Sequence, residues 1–440
     1  MAEKIRISGG RQLKGEVQIS GAKNAVLKLM AAALLAKGES KIYNVPELSD
    51  VVIMLNVIEQ LGVKTYYDKN EKSIRIDATD ITSVTASYEM VSRMRASFIV
   101  LGALVGRCKE AVVALPGGCA IGERKVDFHI RGLEALGTTV KIENGYVHAK
   151  ARKLVGTDIY LDIPSVGATE NIMLASVLAE GSTRIQNAAQ EPEIVDLANF
   201  LNTMGADIIG AGTSEIIING VKQEQLKPIE YTTIPDRIEA GTYMSAFIAT
   251  RGKGIIRNIF PNHLTFFTSK LSKMGADIKL IDPTSIEVSC KRRLEAVNII
   301  TQPYPGFPTD LQSMAMALAT TADGVSIITE SLYENRFMHV PELRKMGADI
   351  HQERNHALVK GVKTLTSASL RASDLRAGAA LVVAALIADG VSTIDNIYHI
   401  DRGYELLESK FKLIGADVTR ISDEDTIINQ HKGIISESQL

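Results

Sequence analysis

The sequence predicts an α/β protein made of six copies of one unit, arranged as two globules of three units with helices inside and strands outside. Three observations predict it. A short phrase ending in Leu-Gly, Met-Gly or Ile-Gly recurs with its glycine at Gly62, Gly137, Gly205, Gly275, Gly347 and Gly415, at intervals of 68 to 75 residues. Each interval also carries one nearly all-apolar helical run, and a helix apolar on every side belongs inside a protein. A short alternating or β-branched run follows each helix, the pattern of a half-exposed strand.

The units follow in order. The first opens on "SGGRQLKGEVQIS", read as one strand, and continues with the buried helix and strand of "LMAAALLAKGESKIYN" and the amphipathic helix "VVIMLNVIEQLG". The second has "IVLGALVGRCKEAVVA", in which Arg107 and Cys108 stand where the other copies approach a glycine. The third, fourth, fifth and sixth carry "IMLASVLAEGSTRIQN", "YMSAFIATRGKGIIRN", "MAMALATTADGVSIIT" and "LVVAALIADGVSTIDN". In all six the recurring glycine is placed to end a helix in a left-handed turn. A propeller is excluded because its blades lack helices, and a solenoid would need shorter repeats and atypical caps. The midpoint of the six falls near "KPIEYTTIPDRIEAG", which places a hinge at Tyr231 to Pro235.

Composition narrows the function classes. Lys+Arg number 49 against 51 Asp+Glu, so no global basic field points to nucleic acid. Cys108, Cys119 and Cys290 make an odd count without disulfide-framework spacing, which reads as reduced thiols in a cytoplasm. No apolar run follows "MAEKIRISGG" as a signal peptide would require. The longest apolar run, Ala377 to Ala388, is too short to cross a bilayer. The expectation is a cytoplasmic protein with no membrane partner.

The informative residues are those that break the repeat. "GAKN" puts Lys23 and Asn24 at a helix start, where amide donors already favour an anion. "MRASFIVLG" holds Arg95. "LPGGCAIGERKVDFHI" sets Cys119 among glycines and follows it with Arg124, Lys125, Asp127 and His129. A thiol in such a loop is either presented for chemistry or merely packed, and position alone leaves both open. Cys108 and Cys290 lie in strand-like runs instead. "PSVGATEN" is a small-residue turn around Ser165 and Gly167. "IPDRIEAGT" adds Arg237, "YPGFPTDLQ" adds Asp310 on a proline-braced turn, "ENRFMHVPEL" adds Arg336, "SDLRAGAAL" adds Arg376 and "IYHIDRGYE" adds Arg402. Several cations, one carboxylate and one thiol at loop–helix junctions describe a site for a strongly anionic substrate, since arginines fork onto carboxylate and phosphate oxygens. No phosphate loop, dinucleotide fingerprint or metal-ligand spacing accompanies them, so neither metal nor cofactor is expected.

With "GAKN", "LPGGCAIGER…VDFHIRGLEALG", "PSVGAT", "FPTDLQ", "ENRFMHV" and "IYHIDRGYE" in view, the chain resembles the UDP-N-acetylglucosamine 1-carboxyvinyltransferase family of enolpyruvyl transferases along essentially its whole length. The resemblance implies a two-domain inside-out α/β barrel of six βαβαββ repeats, three per domain. Residues 22–232, with a lid loop at 115–125, would form one domain, and 1–21 with 233–440 the other. It implies transfer of the enolpyruvyl group of phosphoenolpyruvate to the 3′-hydroxyl of UDP-N-acetylglucosamine, with release of phosphate, as the opening step of peptidoglycan synthesis, by a monomer. By motif, Lys23, Asn24, Arg124 and Arg402 would hold phosphoenolpyruvate. Arg95, Asp127, Ser165, Val166 and Gly167 would hold the nucleotide sugar. Lys125, Val126, Phe128, Leu332, Arg336 and Arg376 would complete the substrate contacts. Asp310 would sit by the attacking hydroxyl, and Cys119 would be the proton donor and the residue alkylated by fosfomycin. Ile163 and Lys125 depart from the lysine and proline that many relatives carry there.

Overall fold

The computed structural model describes residues 3–117, 121–122 and 126–422. Six four-stranded sheets are present, each with one parallel pair at an edge and antiparallel pairing elsewhere. The buried apolar side chains fall into two clusters. One runs from Val26 to Leu226; the other joins Ile5–Ile19 to Ile238–Val418. We call these the first and second lobes.

Three all-round buried helices fill each lobe, as their apolar sequences require. They are Lys23–Ala32, Val100–Cys108 and Val166–Ser176 in the first lobe. In the second they are Arg237–Ala249, Gln312–Ala319 and Leu375–Ile387. Three of the six start at a side-chain cap: Ser165 accepts from the Ala168 N–H, Asp236 from Ile238 and Glu239, and Asp374 from Arg376 and Ala377. Amphipathic helices such as Ser49–Gln60, Asp127–Ala135 and Pro192–Met204 lie between the inner helices and the later strands of each unit. All six recurring glycines adopt positive φ, between +81° and +112°, which ends the preceding helix without strain.

The sequence reading needs two corrections. The opening "SGGRQLKGEVQIS" is not one strand. Glu3–Ser8 enters a sheet with Val391–Asp395 and Asp417–Ser422, whereas Lys14–Gln18 pairs in parallel with Lys253–Arg257. The break falls at Gly9, whose α-carbon packs so closely on the Ala388 carbonyl that a Cβ would lie 2.1 Å from it, and at Gly10, with φ +79°. Cys108 is also not in a strand. The left-handed residue there is Lys109 (φ +59°), so the helix continues through Arg107 and Cys108 before it ends.

Strand exchange joins the lobes. Glu230–Thr232 pairs with Glu39–Tyr43 of the first unit, while Lys14–Gln18 takes the matching position in the fourth. The asparagine that closes the "IYN", "IQN" and "IRN" strands turns left-handed. It donates to the carbonyl just past the parallel edge strand: Asn44 to Thr233, Asn187 to Leu161 and Asn258 to Ile19. The first and third of these bonds hold the two connecting segments in place.

Candidate active site

The inner helices Lys23–Ala32, Arg237–Ala249 and Leu375–Ile387 begin where the lobes meet, and most of the residues that break the repeat sit at the beginnings of inner helices. Lys23 is the first residue of its helix, Arg95 starts the 3-10 turn Arg95–Ile99 that leads into another, and Val166 and Gly167 follow the Ser165 cap. Asp310 lies in the 3-10 turn Thr309–Leu311, directly before Gln312–Ala319, and Arg376 is the second residue of Leu375–Ile387.

Two clusters of charge form there. In the first, the Asp50 carboxylate accepts from Lys23 Nζ at 3.1 Å and from Arg402 Nε at 2.9 Å. Asp50 opens the amphipathic helix Ser49–Gln60 of the first lobe, and Arg402 belongs to the second. Burial alone would raise the Asp50 carboxyl. The charges of Lys23 and Arg402 outweigh it and hold the group below the ordinary carboxylate value. Lys23 moves down as well: desolvation lowers it, Asp50 opposes, and Arg376 and Arg402 add repulsion. Arg376 is thus close enough to act on Lys23, which links this cluster to the next.

In the second cluster, Asp310 is held by two guanidiniums. Arg336 Nη2 donates to Oδ1 at 2.8 Å, and Arg376 Nε and Nη2 donate to Oδ2 at 3.1 and 3.0 Å. Desolvation raises the Asp310 carboxyl, but Arg376 and Arg336 override it and keep the group far below the usual carboxylate range. The turn is braced by Glu330, whose carboxylate accepts from the hydroxyls of Thr301 and Thr309 and from the Leu332 N–H.

Three residues past Arg402, Glu405 accepts from Lys72 Nζ at 2.8 Å, from the Glu47 N–H at 2.9 Å and from the Ser20 hydroxyl. Arg237, read from sequence as part of the anionic site, instead forms a two-pronged pair with Glu193 of the other lobe, at 3.0 and 3.3 Å. Nε and Nη2 of this enclosed guanidinium are matched to a protein carboxylate, and its buried Nη1 makes no hydrogen bond.

The remaining residues take simpler positions. Asp127 and Phe128 open the helix Asp127–Ala135 just after Val126; Arg131 lies 3.5 Å from the Asp127 carboxylate and over the Phe128 ring. His129 is buried and pushed down to about 3 by desolvation and by the charges of Arg95 and Lys28, so it is a neutral imidazole. The Asn24 side chain makes no hydrogen bond with a described residue, and Leu332 is partly exposed. Cys119, Arg124 and Lys125 lie outside the described residues. Among the described residues of that stretch, the Ile121 carbonyl accepts from the Asn335 N–H at 3.1 Å, so Ile121 touches the second lobe. Sequence reasoning missed Asp50, Glu193 and Glu405. A recurring Pro-Glu at 46–47, 192–193 and 341–342, near the starts of amphipathic helices, is the one sequence signal that bears on Glu193.

Among the described residues no helix is long and apolar enough to cross a membrane. The family model of EPSP synthase (3-phosphoshikimate 1-carboxyvinyltransferase) matches residues 7–411, and the chain belongs to that family of carboxyvinyl-transferring proteins. Relatives it is similar to are narrower in name. A "UDP-N-acetylglucosamine 1-carboxyvinyltransferase 2" of Carboxydothermus hydrogenoformans is 52% identical over 96% of this chain and 100% of its own length. A UDP-N-acetylglucosamine 1-carboxyvinyltransferase of Desulfatibacillum aliphaticivorans is 51% identical over 95% and 100%. Within the family the chain groups with these. The enolpyruvyl transferase NikO from Streptomyces tendae superposes with a TM-score of 0.86 at 26% identity, covering 95% of this chain and 99% of that one. An EPSP synthase from Acinetobacter baumannii has a TM-score of 0.75 at 17% identity, covers 96% and 100%, and shares the fold.

Proposed function

We propose that this protein transfers the enolpyruvyl group of phosphoenolpyruvate to the 3′-hydroxyl of UDP-N-acetylglucosamine with release of inorganic phosphate, the step that commits the sugar to peptidoglycan. The observation that carries this reading is the pair of linked charge clusters. Lys23, Arg402, Arg376 and Arg336 converge from both lobes on two carboxylates, the geometry a small, highly anionic donor needs at a closing cleft. The names of relatives about 50% identical over nearly the full chain support the same acceptor.

In this reading, Lys23, Asn24, Arg124 and Arg402 bind phosphoenolpyruvate. Arg95, Lys125, Val126, Asp127, Phe128, Ser165, Val166, Gly167 and Leu332 bind the nucleotide sugar, and the lobes, taken as 22–232 and as 1–21 with 233–440, close over both. The sugar oxygen bonds to C2 of the donor as its proton passes to Asp310, and Cys119 delivers a proton to C3. Loss of phosphate from C2 and of a proton from C3 then restores the double bond. Asp310 is a poor base while Arg336 and Arg376 grip it. An arriving phosphate dianion competes for those guanidiniums and restores basicity where the hydroxyl sits. A closed lid keeps water from the cationic intermediate.

Phosphate release from phosphoenolpyruvate, assayed with UDP-N-acetylglucosamine and separately with shikimate 3-phosphate, tests the reading. Turnover is expected with the first acceptor alone; turnover only with the second would replace it with the sibling reaction.

A further inference from the structure

Two charges lie inside helices that otherwise bury apolar and small groups. Lys28, in Lys23–Ala32, is 8% exposed, and Glu170, in Val166–Ser176, is fully buried. Lys28 Nζ lies 3.1 and 3.0 Å from the two Glu170 oxygens and donates back to the Asn24 carbonyl at 3.2 Å. One ammonium therefore ties the first turn of the helix that presents Lys23 and Asn24 to the helix headed by Ser165, Val166 and Gly167. Beside it, Asn171 donates to His129 Nδ1 at 2.7 Å and accepts from the Gly102 N–H at 2.6 Å. Asn171 thus joins the helix that opens with Asp127 and the helix Val100–Cys108 that follows the Arg95 turn.

A buried ion pair of this kind is weak evidence for stability. Burial pushes the Glu170 carboxyl up to about 7, with Lys28 opposing and Glu193 and Glu191 adding to the rise. Apolar replacements of similar volume at such sites are often neutral or stabilising.

We propose that the Lys28–Glu170 pair is a positioning device for the transfer reaction. Through the Asn24 carbonyl, Lys28 fixes the first turn of Lys23–Ala32 in the orientation that phosphoenolpyruvate binding requires. The proposal rests on the assignment of Lys23 and Asn24 to that substrate.

The test compares the double variant Lys28→Met/Glu170→Leu, the single variant Glu170→Gln and the wild type, with KM measured for each substrate and a thermal midpoint for each protein. Removing both charges together leaves neither uncompensated, so the double variant is expected to melt close to the wild type. Its KM for phosphoenolpyruvate is expected to rise about tenfold or more, while that for the nucleotide sugar moves less than about threefold. Glu170→Gln keeps an acceptor for Lys28 and is expected to stay within about twofold of wild type. A folded double variant with both KM values unchanged, or with both raised alike, overturns the proposal. Should the double variant not fold, Lys28→Met/Glu170→Gln, which also removes both charges, takes its place: a KM for phosphoenolpyruvate within about twofold of wild type in that folded protein overturns the proposal. Asn24→Ala, run alongside, separates the two levels, because an unchanged KM for phosphoenolpyruvate there removes the substrate assignment and not the pair.

Discussion

Arg402 Nε lies 2.9 Å from Asp50 Oδ1, and the two residues come from opposite lobes. Asp50 is 1% exposed and also holds Lys23, so a single buried carboxylate gathers the two cations that the family resemblance assigns to one anionic substrate. It keeps like charges together before the substrate arrives to do so.

Asp50→Asn keeps the shape and removes that counter-charge. Lys23, already lowered by desolvation and by repulsion from Arg376 and Arg402, then has no carboxylate to hold its proton. We expect kcat/KM for phosphoenolpyruvate to fall about 10²-fold with nucleotide-sugar affinity nearly intact. Arg402→Ala is expected to follow the same pattern. Calorimetric titration of the nucleotide sugar alone checks both, and a large loss of that affinity would move Arg402 to the other ligand.

Asp310→Ala removes the one carboxylate between Arg336 and Arg376, which are both buried. Turnover is expected to drop by about 10²–10⁴. Leaving two buried cations without the carboxylate they share is also expected to lower stability by about 3–5 kcal/mol. Added inorganic phosphate should therefore raise the melting temperature of the variant more than that of the wild type. Equal shifts would mean that the arginines do not face the anion.

Sixfold repetition made most of the architecture legible, because each copy repeats the same helix-ending glycine and the same apolar run. Strand exchange was not legible in the repeat and entered only through the family resemblance, which joins residues 1–21 to 233–440. Reading along the chain treats neighbouring strands as partners, yet Lys14–Gln18 pairs with Lys253–Arg257 of the fourth unit and Glu230–Thr232 with Glu39–Tyr43 of the first. Lys23, Asp310, Arg376 and Arg402 stood out as departures from the repeat. Asp50 did not, since an acid in a helix's first turn is the ordinary partner of the helix dipole. Only its burial between two cations distinguishes it.

The connecting segment carries its own pH dependence. Asp196 Oδ1 accepts from the Tyr231 hydroxyl at 2.8 Å, and burial pushes this carboxyl up to about 7, against the hydrogen bond from Tyr231. A raised folded-state value means that the folded protein keeps a proton the unfolded chain gives up. That stabilisation is complete below about pH 4 and is lost as pH rises through about 7. Asp196→Asn keeps the acceptor without the charge. It is expected to exceed wild type at pH 8 by on the order of 1–3 kcal/mol, with the gain shrinking toward pH 5. Urea unfolding at both values checks it, and a difference independent of pH would show that Asp196 does not titrate there.

Thiol reactivity is expected to separate Cys119 from the other two cysteines. Burial raises the Cys108 thiol, against the charges of Arg107 and Lys109, and burial raises Cys290 as well, so both are slow nucleophiles. Fosfomycin is expected to label Cys119 alone, faster with nucleotide sugar present. Cys119→Asp should stay active and escape alkylation, whereas Cys119→Ser should be nearly inactive. Peptide mapping reads the site of label, and label on Cys108 or Cys290, or a fully active Cys119→Ser enzyme, would leave Cys119 with a packing role only.

The exchanged strands also set the order in which a growing polypeptide can be completed on the ribosome. Once Thr232 has emerged, every strand of the first lobe's three sheets exists, and that lobe can close around its three helices. The segment made first must wait. Glu3–Ser8 finds its neighbours only when Val391–Asp395 and Asp417–Ser422 appear, on the order of 20–80 s later at common translation speeds. Until then its backbone edge is open to chance pairing with other chains. The half that carries Lys23 and Ser165 is thus built outward from its own sequence, while the half that carries Asp310 and Arg402 is finished by the return of the oldest end.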